Sequence, residues 1–160
     1  MIRVLAICGS ALLGACSPKF PEGSSRPVES YGRAGIVSCE GTEVVKRGQW
    51  VKHGDFIFRD PDKGAEIARG AYVNGLEHGP WTKTGDDGII GHGHFVSGQR
   101  HGDWTYTYPS GETESQGAYV EGRRHGTWKI WGRDGTLALE KDYDMGRVLV
   151  AGDDPPNAKR

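Results

Sequence analysis

Apolar and aromatic side chains along this 160-residue chain fall into short runs that alternate with polar ones. Phe56 and Phe58, then Trp104, Tyr106 and Tyr108, then Trp128 and Ile130 occupy every second position. That period of two places each set on one face of a strand, and no window sustains the 3.6 period of a helix. Glycine-bearing dipeptides punctuate the runs. Asn74-Gly75, Ser97-Gly98 and Glu121-Gly122 read as hairpin turns in which Gly supplies a positive φ. A second set of turns alternates with the first: Pro61-Asp62-Lys63-Gly64, Asp86-Asp87-Gly88, Pro109-Ser110-Gly111 and Arg133-Asp134-Gly135. The pattern predicts an all-β fold, an elongated array of antiparallel β-hairpins forming a single extended meander sheet.

The hairpins repeat. Gly70 to Trp81, Gly93 to Trp104 and Gly117 to Trp128 align without gaps, their starts 23 and 24 residues apart. The first copy carries Gly70, Tyr72, Gly75, His78, Gly79 and Trp81. The second carries Gly93, Phe95, Gly98, His101, Gly102 and Trp104, the third Gly117, Tyr119, Gly122, His125, Gly126 and Trp128. A degenerate copy near Gly48 runs to Phe56 and lacks three residues at its first turn. A half copy near 141 keeps Tyr143 and Gly146 without a His-Gly pair. Stacked repeats need atypical ends, so a domain spanning 34–150 is expected. The phased aromatics are expected to hold one hairpin on the next.

The ends of the chain read differently. Arg3 precedes an apolar run from Val4 to Leu13 that is too short to span a bilayer, which takes about 20 residues. The run closes on Leu13-Gly14-Ala15-Cys16, which resembles the lipobox of bacterial lipoproteins. The resemblance implies a signal peptide over 1–15, cleavage before Cys16 and acylation of its thiol. It also implies an envelope protein on the outer membrane facing the periplasm, because Ser17 rather than Asp follows the Cys. Residues 16–33, rich in Ser, Pro and Gly, are expected to be a flexible tether, and 151–160 a disordered tail.

The repeat tokens resemble the MORN family, most closely the variant found in YwqK-like antitoxin proteins. Tyr72-Val73-Asn74-Gly75 with His78-Gly79-Pro80-Trp81 carries the resemblance, as do the matching tokens of the next two copies. MORN arrays serve as protein scaffolds, membrane-lipid binders or appendages to enzymes. The implied anchor, the tether and a repeat surface without catalytic motifs lead to the expectation of a non-catalytic scaffold for another cell-envelope protein. A YwqK-like antitoxin or immunity protein that neutralises a toxic partner is one alternative. Direct binding of phospholipid or glycan by the sheet is the other.

Composition narrows the chemistry. The 26 glycines fall mostly at the phased turns, so they report a turn code rather than low complexity. A formal charge of −1, which becomes −2 once Arg3 leaves with the signal, supplies no bulk attraction to nucleic acid. Of the three cysteines, only Cys39 lies within the repeat domain. Its apolar neighbours Ile36, Val37, Val44 and Val45 make it a small buried core residue. No nucleophile elbow, zinc-protease helix or phosphate loop occurs, so no catalytic residue and no cofactor are expected. His92 and His94 form an H-x-H pair, a weak metal candidate without a third ligand. The four His-Gly histidines read as structural hydrogen-bonding groups. Tyr106, Tyr108 and Trp131 stand outside the repeat phase and are the candidate binding aromatics, with Trp131 facing solvent. Arg100, Arg123 and Arg124 beside the first turns are the candidate basic contacts, diluted by Asp86, Asp87, Glu112 and Glu114.

Overall fold

The computed structural model describes residues 20–32 and 37–150. The expected signal peptide, Cys16 and the 151–160 tail lie outside the described residues. Twelve strands follow one another: β1 Ser25–Tyr31, β2 Val37–Lys46, β3 Gln49–Lys52, β4 Gly54–Arg59, β5 Glu66–Val73 and β6 Leu76–Thr84. They continue as β7 Ile90–Val96, β8 Gln99–Thr107, β9 Thr113–Val120, β10 Arg123–Trp131, β11 Leu137–Asp144 and β12 Arg147–Val148. Neighbours in sequence are neighbours in the sheet, in the order β1-β2-β4-β5 onward to β12, with β3 paired to β2. The fold is all-β, an open antiparallel meander of hairpins. No helix among the described residues is long and apolar enough to cross a membrane.

Both sets of expected turns are present, with geometries the residues explain. The first-turn pairs Arg47-Gly48, Asn74-Gly75, Ser97-Gly98, Glu121-Gly122 and Met145-Gly146 have positive φ at both positions. That is the tight turn whose twist matches two antiparallel strands. In the second turns Gly111 donates its N–H to the Tyr108 carbonyl at 2.9 Å, and Tyr108 donates to Glu112 at 2.8 Å. Gly85–Ile89 and Gly132–Thr136 repeat the same bonds.

The chain divides into two compact units, one to His78 and one from Gly79. In the first, β1 pairs residue by residue with β2 from Ser25↔Val44 to Ser30↔Cys39. The expectation of a flexible tether through residue 33 is therefore corrected for Ser25–Tyr31. Val28 is 3% exposed, and Arg26 makes an ion pair with Glu43 at 2.7 Å. Pro27 is tolerated because β1 is an edge strand, where a missing N–H breaks no ladder. Cys39 is buried, as its neighbours imply.

The degenerate copy around Gly48 also differs from its expected form. Its hairpin turns at Arg47-Gly48, with Val44 and Val45 facing Val51 and Trp50. A Cβ on Gly41 would stand 2.5 Å from the Phe56 ring, so Phe56 packs flat on Gly41. The copy thus starts at Gly41, with longer hairpin arms than its successors, and has lost nothing at its turn.

In the second unit the His-Gly token makes a bulge. Between the pairs His94↔His101 and His92↔Thr105, Gly93 faces Gly102, Asp103 and Trp104. Gly117 faces Gly126, Thr127 and Trp128 in the same way. Gly102 and Gly126 take φ of 68° and 69°, the left-handed conformation that lets the surplus residues leave the ladder. The slack carries each Trp back over the opposing Gly. A Cβ on Gly93 or Gly117 would come within 2.3 or 2.4 Å of the indole. Trp104 Nε1 donates to the His94 carbonyl at 3.1 Å and Trp128 Nε1 to Ala118 at 3.0 Å, so neither buried indole N–H is stranded. Trp104 and Trp128 are each 1% exposed.

Candidate binding face

The seated indoles start a row of rings along one face of the second unit. Trp81 meets Phe95 at 5.9 Å, Phe95 meets Trp104 at 5.2 Å, Trp104 meets Tyr119 at 6.0 Å and Tyr119 meets Trp128 at 5.1 Å between centroids. All four contacts are edge-on, the favoured arrangement of aromatic quadrupoles. Within this unit the phased aromatics thus contact one another from each hairpin to the next.

Cations roof the row. Lys83 Nζ lies 4.9 Å from the Trp81 ring and 4.8 Å from Phe95. The Arg100 guanidinium lies 5.1 Å from Trp104 and 5.4 Å from Tyr119, and that of Arg124 4.4 Å from Trp128 and 5.5 Å from Tyr143. The first unit has the same device, with Lys52 over Phe56, Phe58 and Tyr72. A ring face is electron-rich, so a cation held within about 6 Å is attracted to it. Lys52, Arg100 and Arg124 share one repeat position, immediately before the His of His-Gly. The structure brings Arg100 and Arg124 together as half-buried stacking groups; it does not leave them as solvated turn charges.

Hydroxyl groups sit among these cations. Tyr106 Oη lies 3.3 Å from Tyr119 Oη, and Arg124 Nη1 donates to Tyr143 Oη at 3.3 Å. Burial first, and then the hydrogen bond to Tyr119, push the Tyr106 pKa well above the usual phenol range. Desolvation opposes the Arg124 charge, but bonding to the Tyr143 and Tyr119 hydroxyls outweighs it and raises its pKa. Tyr106 is therefore part of the ring layer, stacked 5.9 Å from Trp104, and not a free aromatic outside it.

The remaining candidates lie elsewhere. Tyr108 donates to the Trp131 carbonyl at 2.9 Å near the second turns, where Arg133 lies 5.1 Å from the Tyr108 ring. Trp131 is half-buried, which corrects its expected solvent-facing placement. Arg123 is exposed at the start of β10. Asp86, Asp87 and Glu112 occupy second turns and Glu114 adjoins one, at the far ends of the strands from Arg100 and Arg124. They dilute the net charge of the chain but not the charge of this face.

The histidines divide as well. His53 Nδ1 accepts the Asn74 N–H at 3.4 Å, while His125 Nδ1 lies 3.7 Å from Asp144. His78 and His101 are exposed, with no comparable bond among the described residues. His92 Nδ1 lies 3.2 Å from Thr82 Oγ1, and His94 stands opposite His101 across the β7–β8 pair. No group of three His, Cys, Asp or Glu able to hold a metal occurs among the described residues.

A groove of about 450 Å³ lies over β8, β9 and β10, lined by Asp103, Thr105, Gln116, His125, Thr127 and Lys129 among others. Its lining mixes both signs of charge with hydroxyl and amide groups. No protein-family model matches the chain, and no curated protein aligns with it significantly.

Proposed function

We propose that this chain is a membrane-anchored, MORN-like lipoprotein. Its repeat sheet would serve as a non-catalytic binding scaffold for another cell-envelope protein. The anchor is the acylated thiol of Cys16, and multiple acyl chains, at about 0.8 kcal/mol per buried CH₂, hold such a protein on a bilayer. The observation that carries the binding role is the row of rings roofed by Arg100 and Arg124. Arginines and aromatics presented by a rigid scaffold are the usual anchors of protein interfaces. A photo-crosslinking side chain placed at Lys141 in intact cells tests the reading, because that exposed residue stands directly across from Trp128 on the same face. One dominant crosslinked envelope protein is expected, together with release of the chain from membranes in the Cys16→Ala variant. A crosslink pattern indistinguishable from that of a site on a second turn, such as Asp134, overturns it. A crosslinked partner that is itself toxic selects the antitoxin or immunity alternative.

A further inference from the structure

We infer that the Arg100–Arg124 face receives an acidic, extended peptide segment of the partner, with carboxylates seated on the two guanidinium groups. The inference rests on the scaffold reading and adds the chemistry of what is held.

Three observations converge on it. Neither arginine makes an ion pair among the described residues, in contrast to Arg26, Arg59 and Arg69. Arg100 Nε is buried without a hydrogen-bond partner, pressed against the Trp104 and Tyr119 rings. Stacking uses the flat face of a guanidinium and leaves its in-plane N–H edge for other partners, with Arg124 already giving Nη1 to the Tyr143 hydroxyl. That edge matches a carboxylate fork, and Arg makes such bidentate pairs better than Lys. Hydroxyl groups of Tyr106, Tyr119 and Tyr143 lie around the same two cations.

Spacing narrows the partner further. Arg124 and Gly102 both face Tyr119, so Arg100 lies two strands from Arg124 and two residues further along, which is on the order of 12 Å between backbones. A polyproline-type segment returns to the same face every third residue, about 9 Å on. A β-strand returns every second residue, only about 6.6 Å on. An extended segment therefore reaches both cations with acids three or four residues apart, not two.

Fluorescence anisotropy with the full chain in detergent tests this. The probe is a labelled synthetic twelve-residue peptide with Glu at every third position and Pro and Ala between. Saturable binding is expected, at least tenfold weaker in 0.5 M than in 0.05 M NaCl. The same peptide with Gln for Glu should not bind. Arg124→Gln should weaken the Glu peptide tenfold or more, and exposed Arg123→Gln less than twofold. Arg100→Lys with Arg124→Lys keeps cations over the rings, so it should melt near wild type yet lose most of the affinity. Equal binding of the Glu and Gln peptides, no binding of either, or equal losses from Arg123→Gln and Arg124→Gln overturns the inference. Should the crosslinked partner be found and the Glu peptide fail, the scaffold reading stands and this one falls.

Discussion

Glycine serves two different ends in this chain, and the difference sits on single residues. Gly93 needs to lack a side chain, because a Cβ there would lie 2.3 Å from the Trp104 ring. Gly102 has nothing within 4 Å of such a Cβ, but its φ of 68° is left-handed. Gly93→Ala should therefore destabilise by overpacking, about 1–3 kcal/mol. Gly102→Ala should cost about 1–2 kcal/mol through backbone strain alone. Since the magnitudes overlap, Asn is the discriminating substitution, because it tolerates the left-handed region. Gly102→Asn should recover most of the urea stability lost in Gly102→Ala, whereas Gly93→Asn should be no better than Gly93→Ala. Only the Gly93 variants should shift tryptophan emission in the folded state. Equal rescue at both positions would show that Trp104 is not seated on Gly93. The repeat alone reveals that both positions must be Gly. Which of the two reasons applies depends on a bulge that no residue count announces.

At the level of the strand, regularity decided what was legible. The hairpins from Glu66 to Trp131 are readable because turn dipeptides and aromatics stay in phase, so one assignment explains three copies. β1 has no such token. Its Ser, Pro and Arg suggest a solvated segment, and the single signal against that is Val28, alternating with polar neighbours opposite Gly41. The degenerate copy is similarly obscured, because its longer arms break the spacing while keeping Gly41 and Phe56 in their roles. Arg100 and Arg124 are visible as a repeated cation, but their shared face is not. Each bulge takes up two surplus residues, an even number, which keeps Arg100, Trp104 and Tyr106 on one face while drawing the indole back toward the cation. The β1 pairing makes a measurable claim about Cys39, which faces Ser30 on β1 and is 4% exposed. Val28→Asp would place a charge where Val28 is buried, and an unpaired buried charge is heavily penalised. β1 should then detach, and thiol labelling of Cys39 under native conditions, followed by peptide mapping, should accelerate tenfold or more. An unchanged labelling rate would mean that β1 does not cover the thiol.

Across the unit that begins at Gly79, the array has a defined end. Trp81 faces Gly93 and Trp104 faces Gly117, but Trp128 faces Lys141. A lysine can occupy that position because no later His-Gly-x-Trp returns an indole to it: β12 is two residues long and pairs only with Tyr143 and Asp144. The first six residues of β11 are exposed, with Leu137 at 51%. Repeat arrays draw their stability from nearest neighbours, so a terminal strand with one partner and no seated ring should open by itself. Native-state hydrogen exchange should therefore be graded. Amides of β8, β9 and β10 should exchange at least three decades more slowly than those of β11 and β12, a gap of about 4 kcal/mol at 1.4 kcal/mol per decade. Trp128→Ala removes the last seated ring and should cost about 3–5 kcal/mol. It should bring β9 and β10 toward the β11 rate while β7 and β8 keep more of their protection, which cooperative unfolding of the whole unit does not permit. Uniform loss of protection across all six strands would show that the seated rings are not independent nearest-neighbour locks.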